Sequence, residues 1–307
     1  MKRVLVVYYS QSGDVRNALE ALTAPLRAPG VEICWRQVDS VPRYSFPWRA
    51  VEFFDCMPEA VTGRPPEPAP MGLDPRERFD LVILGWQVWF LSPSLPMQAF
   101  FTAPQAEVLR GTRVISVICC RQMWQRAYGG MRRLVARAGG VLTDNVVLTH
   151  QGGSSAGYLT APWLMITGRR EKLAFLPAAG VSSGELQGLE RFGQRLRETA
   201  DLWAEPRPAP LLADLAPAKV PTASLLPETA IAPLMVALAR IARLCGGPGS
   251  VLRKPVALLF VLTLVVTLPV LLVTSAVLTP VLGRVFAGRL TRYLRGTQAL
   301  DPQDGCR

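Results

Sequence analysis

Histidine is nearly absent from this chain: of 307 residues, only His150 carries an imidazole. A histidine-built zinc site and a cysteine–histidine nucleophilic set both need partners that one ring cannot supply, so neither is expected. The cysteines, Cys34, Cys56, Cys119, Cys120, Cys245 and Cys306, contain no C-x-x-C pair and no metal-binding spacing. Adjacent Cys119 and Cys120 would point to opposite faces of a strand, which makes both core residues, Cys120 being the one that can touch a ligand. Acidic side chains are missing from Thr229 to Leu300, where Arg240, Arg243, Arg253, Lys254, Arg284, Arg289, Arg292 and Arg295 stand. The formal charge of +11 therefore sits mainly in that tail, since residues 1–228 hold 25 basic against 21 acidic side chains. A near-balanced body argues against a nucleic-acid surface, and no nucleic-acid partner is expected.

Charge of either sign is missing from Pro255 to Gly283, a run of 29 residues. A spanning helix needs roughly 20 apolar residues, so residues 255–285 are expected to form a transmembrane segment or, given Pro269 and Pro280, a re-entrant one. Basic residues on both sides leave the direction of a single crossing open, whereas a hairpin would keep both clusters on the cytoplasmic side. A buried core helix is the alternative, although such helices rarely stay uncharged on every face for this length. Ahead of it lies an amphipathic basic segment, 234–254, with Leu234, Leu238, Ile241 and Ala242 on one face and Arg240 and Arg243 on the other. That pattern suits a helix lying on an anionic membrane surface and equally one packed on the domain. The opening apolar run, Val4 to Tyr9, is too short for the core of an export signal. The N-terminal domain is therefore expected at the cytoplasmic face of a membrane, anchored by the C-terminal segment, with 286–307 as a basic tail.

Strand and helix signals alternate through residue 203. Strands are expected at Arg3 to Tyr8, Val31 to Val38, Phe79 to Trp86, Thr112 to Cys119, and either Leu142 to Thr149 or Trp163 to Thr167. Helices are expected at Val15 to Leu26, Leu95 to Phe101, Met131 to Ala138 and Ser183 to Trp203. Apolar strands alternating with amphipathic helices predict an α/β domain, a doubly wound parallel sheet covered on both faces. Two proline-rich stretches interrupt it. Residues 58–75 hold six prolines, within an insert at 45–78, and residues 206–233 hold seven, which reads as a semi-rigid linker over 204–233 and a domain boundary.

The stretch YYSQSGDV, residues 8–15, ends a strand and opens a helix. Free backbone N–H groups and the positive end of the helix dipole would face whatever sits above the strand, Ser10 and Ser12 add hydroxyls, and Gly13 permits a turn that a side chain would obstruct. An anion fits there, although Ser-x-Ser-Gly also serves as a plain helix cap. The stretch resembles the phosphate-binding loop of the flavodoxin-like family, Ser/Thr-x-Thr/Ser-Gly-x-Thr after the first strand. Ser10, Ser12 and Gly13 match; Val15 replaces a third hydroxyl, and Asp14 brings in a negative charge, read as pointing to solvent with Arg16 offsetting it.

Two further stretches carry the resemblance. FDLVILGWQVWFLSPSLPMQAFF, Phe79 to Phe101, is similar to the family's third strand and following loop, and implies that Trp86, Gln87, Val88, Trp89 and Phe90 border a flavin ring, with Trp89 stacking. Core packing is the plainer role for such aromatics, but a buried indole needs a partner for its N–H. After the next strand, Cys120, Arg121, Gln122 and Met123 stand where the family wraps a loop around the ring's pyrimidine edge. The resemblance covers roughly residues 1–203 and implies a five-stranded sheet in the order 2-1-3-4-5, with the phosphate end of a flavin mononucleotide on Ser10, Gln11, Ser12, Gly13, Asp14 and Val15. More narrowly, SFPWRAVEFFDCMPEAVTG, the CRQMW stretch and the apolar tail resemble the dialkylresorcinol condensing enzyme-like group of aryl-polyene and resorcinol lipid pathways.

The resemblance implies a membrane-anchored, flavin-dependent oxidoreductase working on a quinone or lipid-derived cyclic dione, with aromatisation as one such reaction and NAD(P)H as an electron donor. Tyr128 and His150 are candidate proton donors. Phe46, Trp48, Phe53 and Phe54 of the insert can cover an apolar substrate as a lid or simply pack the loop. Expected partners are a lipophilic small molecule, the membrane and biosynthetic proteins. An electron carrier and a cofactor-free membrane scaffold are the alternatives, the latter kept open by Asp14 and Val15.

Overall fold

Five runs of β-branched and aliphatic residues build one parallel sheet in the computed structural model, which describes residues 1–151, 160, 163–171, 176–205, 208–215, 218, 222–267, 269, 270, 273, 274 and 277. The strands are β1 (Lys2–Tyr8), β2 (Val31–Gln37), β5 (Leu81–Trp89), β7 (Arg113–Cys120) and β8 (Val141–Thr149), ordered β2-β1-β5-β7-β8. Every pairing among them is parallel. Two-residue strands β3 (Ser40–Val41) and β4 (Glu67–Pro68) pair with each other, and β6 (Ser92–Pro93) folds back on β5. The order is that of the flavodoxin-like doubly wound sheet. The fifth strand is the 141–149 option; 163–167, the other candidate, is helical.

Alternation along the strands feeds two cores. Leu5, Val7, Val82, Leu84, Val114 and Ile118 meet α4 (Leu95–Phe100) and α5 (Gln125–Arg137) on one face. Val4, Val6, Ile83, Ile115 and Val117 meet α1 (Asp14–Thr23) and the Glu190–Glu198 helix on the other. Cys119 joins the second core and Cys120 the first, as neighbours on a strand must. Helix α5 begins at Gln125, six residues before the expected start. Ser183 to Trp203 is broken into Ser183–Gln187, Glu190–Glu198 and a short Ala200–Leu202 turn.

The two proline-rich stretches are more ordered than their composition suggests. The insert carries α2 (Ala50–Asp55) and α3 (Met57–Thr62). The stretch read as a linker lies against the domain: the bulge between β7 and β8 presents the Asp144 carboxylate to the amides of Leu211 and Leu212 (3.1 and 2.8 Å), and both leucines are buried. Arg113 donates to the carbonyls of Leu202 (3.0 Å) and Ala209. From Thr222 the chain is a helix to Leu244 that contains Pro227 and Pro233.

That helix packs on the domain through Ile231, Ala232, Met235, Leu238 and Ala239, against Met57, Leu91 and Phe260. Leu234, Ile241 and Leu244 remain exposed beside Arg240 and Arg243. Helical backbone resumes over 254–267, where Leu258, Leu259, Leu262, Val265 and Val266 are exposed. Among the described residues no helix is long and apolar enough to cross a membrane; most of 268–285 and all of 286–307 lie outside them.

Candidate functional site

Because the strands run parallel, the loops after β1, β5, β7 and β8 gather at one edge of the sheet, the usual ligand edge of such folds. The first loop leaves backbone donors open at the start of α1. Gly13 caps α1 with φ 92°, a left-handed value natural to glycine. The amides of Ser12, Gly13, Asp14 and Val15 donate to no acceptor among the described residues, whereas the Arg16 amide is taken by Ser10 Oγ (3.2 Å) and the Gln11 amide by Gln87 Oε1 (3.3 Å). Gln11 Nε2 continues to the Ser45 carbonyl (3.2 Å), which ties the loop to the insert. Val15 is fully buried because its side chain lies against Gly85, where even a Cβ would come within 2.8 Å of it. Close packing of α1 on β5 takes the place of a third hydroxyl.

Asp14 departs from its expected setting. It does not point to solvent; it is 3 % exposed, and Arg16 pairs with Glu20 at 2.9 Å instead. Asp14 Oδ1 accepts from Arg170 Nη1 (2.7 Å), and Oδ2 accepts from Ser12 Oγ (2.9 Å). His150 Nε2 is 3.9 Å from Oδ2. Burial, opposed by Asp14, lowers the His150 pKa to about 4, so the ring is neutral at pH 7. His150 thus belongs with Asp14 at the first-loop end of the edge.

The second loop brings Trp89, Val88, Gln87 and Phe90 to the edge but not Trp86. Trp86 shares the facing of Val82 and Leu84, is fully buried, and donates its indole N–H to Ser116 Oγ (2.9 Å). Trp89 sits under an aromatic cover: Tyr44, Trp48 and Tyr9 meet it at centroid distances of 5.1, 5.3 and 5.7 Å, each steeply inclined. Phe53 lies on Phe90 at 4.8 Å. The insert residues Trp48 and Phe53 therefore cover the loop, as a lid would. Tyr9 and Tyr44 complete this cluster and were not singled out by sequence. Trp48 Nε1 and Gln11 Oε1 are buried with no hydrogen-bond partner among the described residues.

The third loop places Cys120 in the core and leaves Arg121, Gln122 and Met123 half-buried at the edge. Burial pushes the Cys120 thiol well above its ordinary value, which removes it as a nucleophile. Tyr128 lies one turn into α5, 3 % exposed and edge-on to Trp124; burial raises its phenol to about 12. Among the described residues three that are not glycine have left-handed backbones, Phe90 (φ 49°), Leu91 (57°) and Met123 (49°), and all three belong with Phe260 to the apolar cluster under the C-terminal helices. Glu228, also missed by sequence, reaches in from the Thr222–Leu244 helix, 2 % exposed, and accepts from the Arg126 amide at 2.5 Å while its Oε2 has no partner. Its partner amide lies 102 residues away, so no local pattern marked it.

The strand order defines a flavodoxin-like α/β domain, with the open amides of the first loop on the same sheet edge as an aromatic cluster. No protein-family model and no curated protein matches the chain. Among solved structures, a flavoprotein in complex with FMN from Lactobacillus acidophilus NCFM is similar at 18 % identity over 48 % of this chain and 93 % of its own, with a TM-score of 0.38. A WrbA-like flavodoxin from Agrobacterium tumefaciens is similar at 13 % identity, covering 66 % and 98 %, TM-score 0.35, and the azoreductase AzrA at 9 %, covering 62 % and 99 %, TM-score 0.33. Likenesses of this size leave the fold resting on the strand order itself.

Proposed function

We propose that this protein is a membrane-held oxidoreductase that uses flavin mononucleotide to act on a lipophilic ring, such as a quinone or a lipid-derived cyclic dione. The observation that carries the reading is the set of four amides at the start of α1 with no acceptor among the described residues, flanked on the same sheet edge by the Trp89 loop and by residues 121–123. These residues fit the cofactor's anionic end: Gly13 leaves the amides open to approach, and Arg170 supplies positive charge. The orphaned Trp48 N–H and Gln11 carbonyl oxygen are what groups awaiting a polar ligand would look like. Bound flavin supplies the two-electron chemistry. The chain's own residues hold and orient it: amides 12–15 and Ser10 at the phosphate, and Gln87, Val88, Trp89, Phe90, Arg121, Gln122 and Met123 about the ring. Trp48 and Tyr44 rest on Trp89, so the insert must part from the sheet edge to admit a planar ring and then close to exclude water.

Membrane attachment is supported by the exposed apolar side chains of 258–266, the exposed stripe Leu234, Ile241 and Leu244, and the neighbouring arginines. The lipophilic substrate and the resorcinol-type setting rest on the sequence resemblance and on the contact of Phe260 with Phe90, at 5.9 Å, which joins the apolar helix to the site. NAD(P)H as donor and biosynthetic proteins as partners belong to the same proposal. The test is the visible spectrum of the protein purified in detergent. Flavin bands are expected; a colourless protein that takes up no added FMN would overturn the reading. Reoxidation of the reduced protein by a quinone or dione without a protein acceptor separates an enzyme from an electron carrier. A second reading, a cofactor-free scaffold, is favoured by the carboxylate of Asp14 inside the loop and by the mutual closure of Tyr44, Trp48 and Trp89.

A further inference from the structure

Arg170 stands 156 residues from Asp14 in sequence, yet its guanidinium is fitted into the first loop with unusual care. Nη1 donates to Asp14 Oδ1 at 2.7 Å and Nη2 to the Ser12 carbonyl. Two glycines make room for it. A Cβ on Gly180 would fall 2.3 Å from Nη1 and 3.1 Å from Asp14 Oδ1, and one on Gly13 would stand 4.0 Å from Nη2. The strap that carries it is pinned to the sheet: the Ala179 amide donates to the Arg170 carbonyl (3.1 Å), and the Gln151 amide, just beyond β8, donates to the Gly180 carbonyl (2.9 Å).

The charges call for this arm. Asp14 alone would set a buried carboxylate against any anion on the neighbouring amides, a repulsion strong in a partly desolvated loop. A guanidinium has five N–H donors in a rigid fork, and Asp14 and Ser12 engage one face of it. The side chain is 40 % exposed, so the guanidinium is not sealed off from solvent. We propose that Arg170, aimed by Asp14, is the anion-selecting residue of this site, the group that makes the loop prefer a dianionic monophosphate to an uncharged end. The inference rests on the flavin reading above and adds to it the residue that discriminates FMN from riboflavin.

The experiment titrates FMN and riboflavin into the full chain in detergent, reading flavin fluorescence, for wild type, Arg170→Gln and the double variant Asp14→Asn/Arg170→Gln. In parallel, thermal melts compare inorganic phosphate with chloride at matched ionic strength. Loss of a charge-assisted fork should weaken FMN about 10- to 100-fold and leave riboflavin unchanged. Phosphate should raise the Tm of wild type, and that rise should vanish in Arg170→Gln. The double variant, free of the unpaired carboxylate, should regain part of the FMN affinity and melt near wild type without phosphate, which separates lost recognition from lost folding. Equal or tighter FMN binding by Arg170→Gln, or equal weakening of both flavins, overturns the proposal. If wild type binds neither flavin, the flavin reading fails and the phosphate arm decides: stabilisation lost in Arg170→Gln upholds the residue's role, and the same response in both proteins removes it.

Discussion

Replacing Glu228 with glutamine puts a number on the burial of one carboxyl. Glu228 is 2 % exposed, takes the Arg126 amide at 2.5 Å, and leaves Oε2 without a partner. Burial raises its pKa from 4.5 to about 7, against the pull of the amides of Arg126 and Gln125. With the folded pKa above the unfolded one, the folded state binds more protons between these values. The group's contribution to stability is therefore most favourable below pH 4.5 and is lost as pH rises through 7. A shift of about 2.5 units at 1.36 kcal/mol each is on the order of 3 kcal/mol. Glutamine keeps an acceptor for Arg126 and never ionises. At pH 8 Glu228→Gln should melt higher than wild type by roughly 6–12 °C at most, at about 2–4 °C per kcal/mol, with the gap closing by pH 5. Melts followed by circular dichroism at pH 5, 6, 7 and 8 measure it. A difference that does not change with pH would refute the argument, because it would mean that Glu228 is not held neutral by its surroundings.

Other outcomes follow from the packing. Trp86→Phe should cost about 1–3 kcal/mol by stranding Ser116 Oγ, without changing flavin content, whereas Trp89→Ala should lower flavin content; spectra and denaturant melts of the two separate core from site. Asp144→Ala should free residues 209–212 and destabilise the fold by about 2–4 kcal/mol, seen as faster amide exchange at Leu211 and Leu212. Arg253, 1 % exposed and gripping Glu59 at 2.7 and 2.9 Å, should not tolerate alanine: Arg253→Ala leaves Glu59 unpaired at a cost of about 3–5 kcal/mol, measurable by urea unfolding.

The sheet was readable because its strands are buried on both faces and so appear as unbroken apolar runs; β1, β5 and β7 came within a few residues of their expected ends. The turn from β1 into α1 was readable because Gly13, following Ser10 and Ser12, leaves a local mark, and it takes φ 92°. Trp86 and Trp89 look alike in sequence, but their placement depends on register across to Ser116, a long-range fact. The proline-rich 204–215 stretch was opaque for a related reason: its backbone donors are met by Asp144 at a β-bulge and its carbonyls by Arg113, partners about 60 to 100 residues away that no composition reveals. Asp14 showed that a cation was needed, and the nearest in sequence, Arg16, was spent on Glu20 one helical turn further on.

The left-handed turns at Phe90, Leu91 and Met123 are held beneath Phe260 and its helical neighbours. A fragment cut before the hydrophobic tail, the natural choice for easy purification, would strip the roof from the loops after β5 and β7 and let those turns relax. Whatever such a fragment binds would be measured on loops of a different shape, so tests of the proposed function should keep the tail and its detergent.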